Sequence, residues 1–282
     1  MSVLLQGKPA AAALDTDTIR RVNELKARGI LPTLAVLRIG ERQDDLSYER
    51  SILRRAETLG VAVKKHVLPP TVGEGAILSL IRELNEDPSV HGILIMRPLP
   101  APIGEAAICE AIAPEKDVDG VTRASMAAVY AGRGEGFAPC TAEACIAILD
   151  HYGTGLSGKR AVVVGRSLVI GRPVAALLTA RDATVTLCHS RTAELARVIR
   201  GSELVIAAMG RAEYLQKDCF TPGQTVLDVG IHFNEEKQKL VGDVAFEEAA
   251  SIVDAITPVP GGVGNVTTSV LCRHVVLAAE RG

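Results

Sequence analysis

The chain has 282 residues, of which 48% are hydrophobic, and a formal net charge of −2. Its charges of both signs are interspersed and no apolar run approaches the roughly 20 residues of a membrane span, so we expect neither nucleic acid nor a membrane as a partner. The length is typical of a two-domain enzyme, and the lack of a basic-then-apolar leader predicts a cytoplasmic protein.

The first half of the chain alternates helical and strand patterns. It predicts a helix over 15–28, a strand over 33–39, a helix over 45–59, an extended segment over 61–68, a helix over 74–85 and a strand over 92–96. This βαβαβ order is typical of a parallel sheet.

The second half repeats that alternation after a helix capped by Thr141. Strands are predicted over 161–164, 183–188, 204–208, 226–229 and 255–256, followed by a helix over 267–280. We therefore predict an α/β fold of two doubly wound domains with parallel sheets and a cleft between them. Residues 1–140 plus 267–282 form one domain, and residues 141–266 form a second, Rossmann-like domain.

The six cysteines are scattered without a C-x-x-C pair and lie mostly in apolar stretches. This distribution predicts buried, reduced thiols rather than disulfides or a metal site.

The segment around Gly165 indicates a phosphate site. Four apolar residues predict a buried strand that ends there, and Pro173 suits the first turn of a helix over 174–180. Backbone N–H groups between Gly165 and Gly171 would then face an anion. Because the glycine spacing departs from G-x-G-x-x-G, a strand-to-helix turn without a ligand stays an alternative.

The next strand, 183–188, is followed by Ser190 and Arg191, at the point where a dinucleotide fold meets the ribose. A hydroxyl and a guanidinium there, together with Arg166, suit a 2′-phosphate and favour NADP over NAD. The alternative is that both arginines are ordinary solvated loop charges.

Other unusual residues follow predicted strands. They include Tyr48, Asp117, Asp119 and the segments 98–100, 139–141, 230–232 and 258–264. Taken singly, the two aspartates would shape a turn, and 258–264 would be a rigid loop.

Six motifs in order resemble the bifunctional methylenetetrahydrofolate dehydrogenase/cyclohydrolase family over essentially the whole chain. They are Pro-x-Lys-Asp-Val-Asp-Gly (114–120), Pro-Cys-Thr (139–141), Gly-Lys-x-Ala-Val-Val-Val-Gly-Arg-Ser (158–167), Cys-His-Ser-Arg-Thr (188–192), Gly-Asp-Val (242–244) and Thr-Pro-Val-Pro-Gly-Gly-Val-Gly (257–264). The resemblance implies NADP in the second domain, tetrahydrofolate derivatives in the cleft, and a homodimer.

The resemblance also implies roles for individual residues. Tyr48 would stack on the folate, and Asp119 would accept two hydrogen bonds from the pterin, which makes these the expected catalytic residues. Further substrate-binding positions are Pro98, Leu99, Pro100 and Gly264. Cofactor-binding positions are Gly165, Arg166, Ser167, Ser190, Arg191 and Ile231, the last near the nicotinamide.

Two polar family positions, a lysine and a glutamine, are replaced by apolar residues. The family's Tyr-x-x-x-Lys ends here in Ile52, and its Val-Gln-Leu-Pro-Leu-Pro carries Met96 and Arg97 in place of Gln and Leu. Hydride transfer needs no side-chain base, whereas hydrolysis of the methenyl cation needs proton shuttling. We therefore expect a dehydrogenase with a weakened cyclohydrolase step.

Alternatives stay open at this point. In one alternative, Arg97 or Arg55 replaces the positive charge of the missing lysine, and the chain is a fully bifunctional enzyme. In another, both arginines are surface residues without that role. The chain would otherwise be an NADP-binding regulatory protein without folate turnover, or would reduce another pterin-like or small carbonyl substrate.

Overall fold

A computed structural model describes residues 2–282, which contain ten α-helices and eleven β-strands. The first half comprises β1 (Val3–Leu4), α1 (Gly7–Ala27), β2 (Thr33–Ile39), α2 (Gln43–Leu59), β3 (Ala62–Leu68), α3 (Glu74–Glu86), β4 (Gly92–Ile95), α4 (Glu105–Glu110) and α5 (Arg123–Ala131). The second half comprises α6 (Cys140–His151), β5 (Arg160–Val164), α7 (Gly171–Thr179), β6 (Thr184–Cys188), α8 (Leu195–Arg200), β7 (Leu204–Ala207), β8 (Thr225–Asp228), β9 (His232–Asn234), β10 (Lys239–Val241), α9 (Phe246–Ala250), β11 (Ala255–Ile256) and α10 (Thr267–Arg281).

The chain divides into two compact units. The six-stranded unit comprises the residues up to Ala13 and Thr141–Thr267, and the three-stranded unit comprises Leu14–Cys140 and Thr268–Gly282. The predicted division at 140/141 agrees with this, but the N-terminal residues lie in the other unit from the one predicted. The reason is β1, which pairs in parallel with β11. Its two residues are too few to produce a strand pattern in the sequence.

The six-stranded sheet has the order β1-β11-β8-β7-β5-β6, and every neighbouring pair is parallel. The central strands are continuous apolar runs because both of their faces are covered. Val164 is in register with Cys188 and with Ala207, which is in register with Asp228. The residues that follow these four strands therefore lie along one edge of the sheet.

The three-stranded sheet has the order β3-β2-β4 and is parallel, as predicted. All seven residues of the central strand β2 are buried. Three apolar residues of α3, Ile77, Ile81 and Leu84, pack in one cluster with residues of β2 and β4. The α/β fold with two parallel sheets is thus confirmed.

Four helices begin earlier than their sequence patterns predict, among them α2, which starts at Gln43 instead of residue 45. α1 starts at Gly7 instead of residue 15, because an alanine-rich segment extends it and Pro9 is tolerated in the first turn. α6 starts at Cys140, so Thr141 lies within the first turn rather than at the predicted N-cap. α7 starts at Gly171, which makes Pro173 its third residue.

All six cysteines are buried, and none of them forms a disulfide within residues 2–282. None of the helices within residues 2–282 combines the length and the apolar character that crossing a membrane requires.

A buried ion pair joins α2 to the central strand of the three-stranded sheet. Arg38 Nε lies 2.8 Å from Glu49 Oε2, and the two side chains are only 7% and 8% exposed. Lys65 Nζ lies 3.7 Å from the other carboxylate oxygen of Glu49. Because Glu49 is adjacent to Tyr48, this pair anchors the helix that carries the predicted folate-stacking residue.

Removing one partner of this pair should destabilise the protein strongly. For Arg38→Met we expect the free energy of unfolding to fall by about 3 kcal/mol, because the buried Glu49 then keeps only the more distant and exposed Lys65 as a counter-charge. The double variant Arg38→Met/Glu49→Met should recover most of that loss. Urea denaturation of the single and double variants measures this, and equal losses in both would contradict the assignment.

Candidate functional site

The turn after β5 brings main chain directly against main chain. Gly165 has φ +128°, and a Cβ there would overlap the carbonyl oxygen of Ala208. A Cβ on Gly171 would in turn overlap the carbonyl oxygen of Gly165. Both positions therefore require glycine, and the six-residue spacing that departs from the usual dinucleotide pattern follows from this packing.

The residues between these glycines leave polar groups facing outward. Ser167 Oγ accepts hydrogen bonds from the N–H groups of Ile170 (3.1 Å) and Gly171 (3.4 Å), at the start of α7. Within residues 2–282, the backbone N–H groups of positions 166–169 form no hydrogen bond. Arg166 and Ser167 are exposed. Free N–H groups at a helix N-terminus with an adjacent arginine suit an anion.

The turn after β6 lies beside this one, because β5 and β6 are neighbours in register. Thr192 Oγ1 accepts from His189 N at 2.9 Å, and His189 Nδ1 accepts from Arg191 N at 3.1 Å. The turn is thus held by its flanking residues, while Ser190 and Arg191 are exposed. The structure therefore places the predicted phosphate-binding residues together at the carboxyl ends of β5 and β6.

Ile231 follows β8 at the same edge and is 57% exposed. A Cβ added to Gly264 would lie 3.3 Å from Ile231 Cδ1, so the predicted nicotinamide-proximal and substrate-binding residues are neighbours in the six-stranded unit. Gly264 lies in a short 3₁₀ turn that precedes α10.

A buried carboxylate, Asp243, fixes the loop after β7. It accepts hydrogen bonds from the N–H groups of Met209 (2.7 Å), Gly210 (3.1 Å) and Arg211 (2.8 Å). His232 Nε2 lies 2.8 Å from its Oδ1. The sequence showed Asp243 only as part of a Gly-Asp-Val motif, and this role depends on contacts across more than 30 positions.

Asp228 at the end of β8 holds the next loop in a similar way. It accepts from the N–H groups of Gly230 (3.0 Å), Asp243 (2.9 Å) and Val244 (2.9 Å). Burial raises its pKa to about 7, against the opposing effect of these hydrogen bonds. Sequence inspection did not select this residue, because it reads as the last position of a strand.

The three-stranded unit brings Tyr48, Arg97 and Asp119 together. Burial, followed by the charge of Asp119, raises the pKa of Tyr48 well above its usual value, so its phenol stays protonated. Burial also raises the pKa of Asp119, whereas the positive charge of Arg97 lowers it. Arg97 Nη2 lies 3.4 Å from Asp119 Oδ2, and the Asp119 side chain is 21% exposed. An accessible carboxylate beside an aromatic ring suits a flat ligand with paired donors.

The neighbouring Asp117 has a different role. Its fully buried carboxylate accepts from Val121 N (3.0 Å), Thr122 N (2.8 Å) and Ser125 Oγ (2.6 Å). The turn-shaping interpretation therefore holds for Asp117.

The segment 98–100 is held from both sides. Leu99 N donates to Glu105 Oε2 at 2.9 Å, and the carbonyl of Pro98 accepts from Arg42 Nη1 at 2.7 Å. Leu99 and Pro100 are partly exposed.

Both altered family positions are buried, with 0% exposure for Ile52 and 4% for Met96. Arg55 is ion-paired with Asp15, which links α2 to α1. Of the two arginines considered as substitutes for the lysine, it is Arg97 that contacts Asp119. Within residues 2–282, no cluster of three or more His, Cys, Asp or Glu side chains is arranged to hold a metal ion.

Comparison with known proteins also finds two parts, which divide between residues 119 and 139. Residues 5–119 match the tetrahydrofolate dehydrogenase/cyclohydrolase catalytic domain, and residues 139–282 match the NAD(P)-binding domain of the same family. An NAD(P) cofactor is therefore confirmed for the C-terminal part of the chain.

Whole-chain relatives agree with these domain matches. The chain is 45% identical over 281 residues to the bifunctional protein FolD of Carboxydothermus hydrogenoformans, covering 99% of this chain and 98% of that protein. The FolD structure from Campylobacter jejuni has a TM-score of 0.96 at 37% identity, covering 100% and 99% of the two chains. The Trypanosoma brucei FolD structure, complexed with NADP and an inhibitor, has a TM-score of 0.92 at 34% identity, covering 99% and 98%. The chain belongs to the tetrahydrofolate dehydrogenase/cyclohydrolase family.

Proposed function

We propose that the protein oxidises 5,10-methylenetetrahydrofolate to 5,10-methenyltetrahydrofolate with NADP, as a step of one-carbon metabolism. The observation that carries this proposal is the accessible Asp119 carboxylate, which lies 3.4 Å from Arg97 and interacts electrostatically with Tyr48 in the three-stranded unit. This tyrosine and this aspartate are retained although the adjacent positions Ile52, Met96 and Arg97 depart from the family pattern. The homodimer and the cytoplasmic location stay predictions.

The residues after β5 and β6 fit NADP. The glycine turn at Gly165 leaves no room for a Cβ, and the free N–H groups of 166–169 would hold the pyrophosphate. Arg166, Ser190 and Arg191 are exposed at the same edge and would bind the 2′-phosphate. When bound, NADP supplies the hydride acceptor. A structural relative that is complexed with NADP supports this choice over NAD.

The folate would be oriented by Asp119 and Tyr48. The carboxylate of Asp119 offers two acceptor oxygens to the pterin's amino group and ring N–H, and the ring of Tyr48 offers a flat apolar face. The phenol of Tyr48 stays protonated, so it is not a base. Positioning is therefore the main contribution of these side chains to the hydride step.

Hydrolysis of the methenyl product to 10-formyltetrahydrofolate should be weaker than oxidation. The positions of the family's lysine and glutamine hold the buried apolar residues Ile52 and Met96. Neither side chain can donate or accept a proton during hydrolysis. Arg97 retains a positive charge beside Asp119 but cannot act as a base near neutral pH.

Full bifunctionality is the second candidate function. Two observations favour it: relatives with 45% identity over the whole chain are named bifunctional proteins, and Arg97 keeps a cation beside Asp119. A regulatory protein without folate turnover is disfavoured by the retained Asp119. Residues 43–45, Gln-Asp-Asp, stand where the family has Pro-Ala-Ser, but this change alone does not explain recognition of a different pterin-like or small carbonyl substrate.

Asp119→Asn tests the folate assignment. The amide replaces one acceptor by a donor that opposes the pterin's own donors, so we expect kcat/KM for methylenetetrahydrofolate to fall about tenfold to a hundredfold. NADPH formation measured by absorbance follows the reaction, and NADP binding should be unchanged. The surface variant Glu110→Gln is the matched control. Normal folate kinetics in Asp119→Asn would contradict the assignment.

The double variant Ile52→Lys/Met96→Gln tests the hydrolytic step. Restoring both family residues should raise methenyltetrahydrofolate hydrolysis by about 10²–10⁴-fold, since it returns a proton carrier together with its hydrogen-bond partner. Loss of methenyl absorbance measures hydrolysis, and NADPH formation is assayed separately. If wild-type hydrolysis already matches wild-type oxidation, the protein is fully bifunctional and the weakened step is refuted.

Gly165→Ala tests the cofactor turn. The added methyl group meets the Ala208 carbonyl, and the left-handed φ is unfavourable for alanine, so we expect a large loss of NADP affinity with a lower Tm. Gly155→Ala is the matched control, because its Cβ would have nothing within 4 Å. Calorimetric titration with NADP compares them. Equal affinities in the two variants would place the cofactor elsewhere.

A further inference from the structure

Arg97 occupies a position at which the family pattern has leucine, so its charge is a feature of this chain. It follows β4 and precedes the Pro98-Leu99-Pro100 segment. Its side chain is 23% exposed, which leaves the guanidinium partly withdrawn from water. A partly buried cation requires a compensating partner nearby.

Two carboxylates supply that compensation. Arg97 Nη2 lies 3.4 Å from Asp119 Oδ2, and Nη1 lies 3.7 Å from Glu105 Oε1. Glu105 opens α4 and also accepts the hydrogen bond from Leu99 N, so it is fixed independently of Arg97. The guanidinium is therefore held between an anchored carboxylate and the carboxylate that is assigned to the pterin.

This arrangement matters because Asp119 is useful only when it is ionised. A carboxylate offers two acceptors to paired donors, whereas a carboxylic acid presents a proton to one of them. Burial opposes ionisation of Asp119, and the neighbouring Asp117 does so as well, whereas Arg97 favours it. The side chain of Cys140 also lowers the pKa of Asp119.

We propose that Arg97 is a positioning residue that keeps the Asp119 carboxylate ionised and oriented for the pterin ring. This inference rests on the proposed function. It goes beyond compensation for the missing lysine, since it assigns to Arg97 a role in folate binding itself. Arg97 acts through Asp119 and transfers no proton.

The test is the pH dependence of folate binding and turnover. In wild-type protein, KM for methylenetetrahydrofolate should rise at low pH as Asp119 takes up a proton, which gives the pH profile an acid limb. In Arg97→Leu, which restores the family residue, that acid limb should move upward by about one pH unit or more, because a nearby opposite charge is lost. KM at a pH on the limb then rises about tenfold, while the alkaline plateau changes much less.

Three further variants keep the result independent of folding. Arg97→Lys retains the charge and should leave the limb near its wild-type position. Glu105→Gln removes a negative charge from the cluster while its side-chain oxygen still accepts from Leu99 N, so it should move the limb downward. Arg123→Leu, on an 85%-exposed side chain in the same unit, controls for loss of an arginine.

Binding is read without turnover by the fluorescence of a pterin-containing folate analogue, because the chain contains no tryptophan. Opposite shifts in Arg97→Leu and Glu105→Gln support the inference. An acid limb that stays in place in Arg97→Leu overturns it, even if that variant is less stable. Failure of wild-type protein to form NADPH from methylenetetrahydrofolate contradicts the proposed function instead, and the two failures are therefore distinguishable.

Discussion

The close approach of backbone to backbone after β5 is the constraint on which the cofactor region depends. Gly165 lies against the carbonyl of Ala208, and Gly171 lies against the carbonyl of Gly165, so no side chain separates the strand end from the helix start. This packing places the first turn of α7 at the edge of the sheet and leaves the N–H groups of 166–169 facing outward. A phosphate can approach main-chain donors there at short range, which a bulkier turn would prevent. Gly165 and Gly171 thus provide the close backbone approach that the usual G-x-G-x-x-G pattern provides in other dinucleotide-binding folds.

Two buried carboxylates fix the loops that follow β7 and β8 at the carboxyl ends of the strands of the six-stranded sheet. Asp243 binds the N–H groups of three successive residues after β7, and Asp228 binds those of Gly230, Asp243 and Val244. Because Asp243 contributes an N–H to Asp228, the two loops form one hydrogen-bonded network. Ile231 is presented from this network as an exposed apolar side chain. The loops that would meet the nicotinamide are therefore held by side chains that do not themselves face the ligand.

Much of this architecture could be predicted from the sequence, because it depends on local periodicity. The apolar run before Gly165 and the amphipathic spacing of α3 predicted their elements, and both parallel sheets followed from the alternation of strands and helices. β1 could not be predicted, because two residues carry no periodicity and the strand forms only when β11 is in place. The same limit applies to the site. Tyr48 and Asp119 could be found from motifs, whereas the contact of Arg97 with Asp119 depends on the tertiary path of two loops.

The burial of Ile52 and Met96 has a consequence for how such a protein changes over evolutionary time. A lysine introduced alone at a position with no exposure would lack a polar partner, and a glutamine introduced alone at position 96 would leave a buried amide unsatisfied. We therefore expect each single step to be disfavoured and the double change to be better tolerated, which would be a form of sign epistasis. The apolar state and the polar state of the pair are separated by a barrier in sequence space. A chain that has entered the apolar state would therefore tend to remain in it.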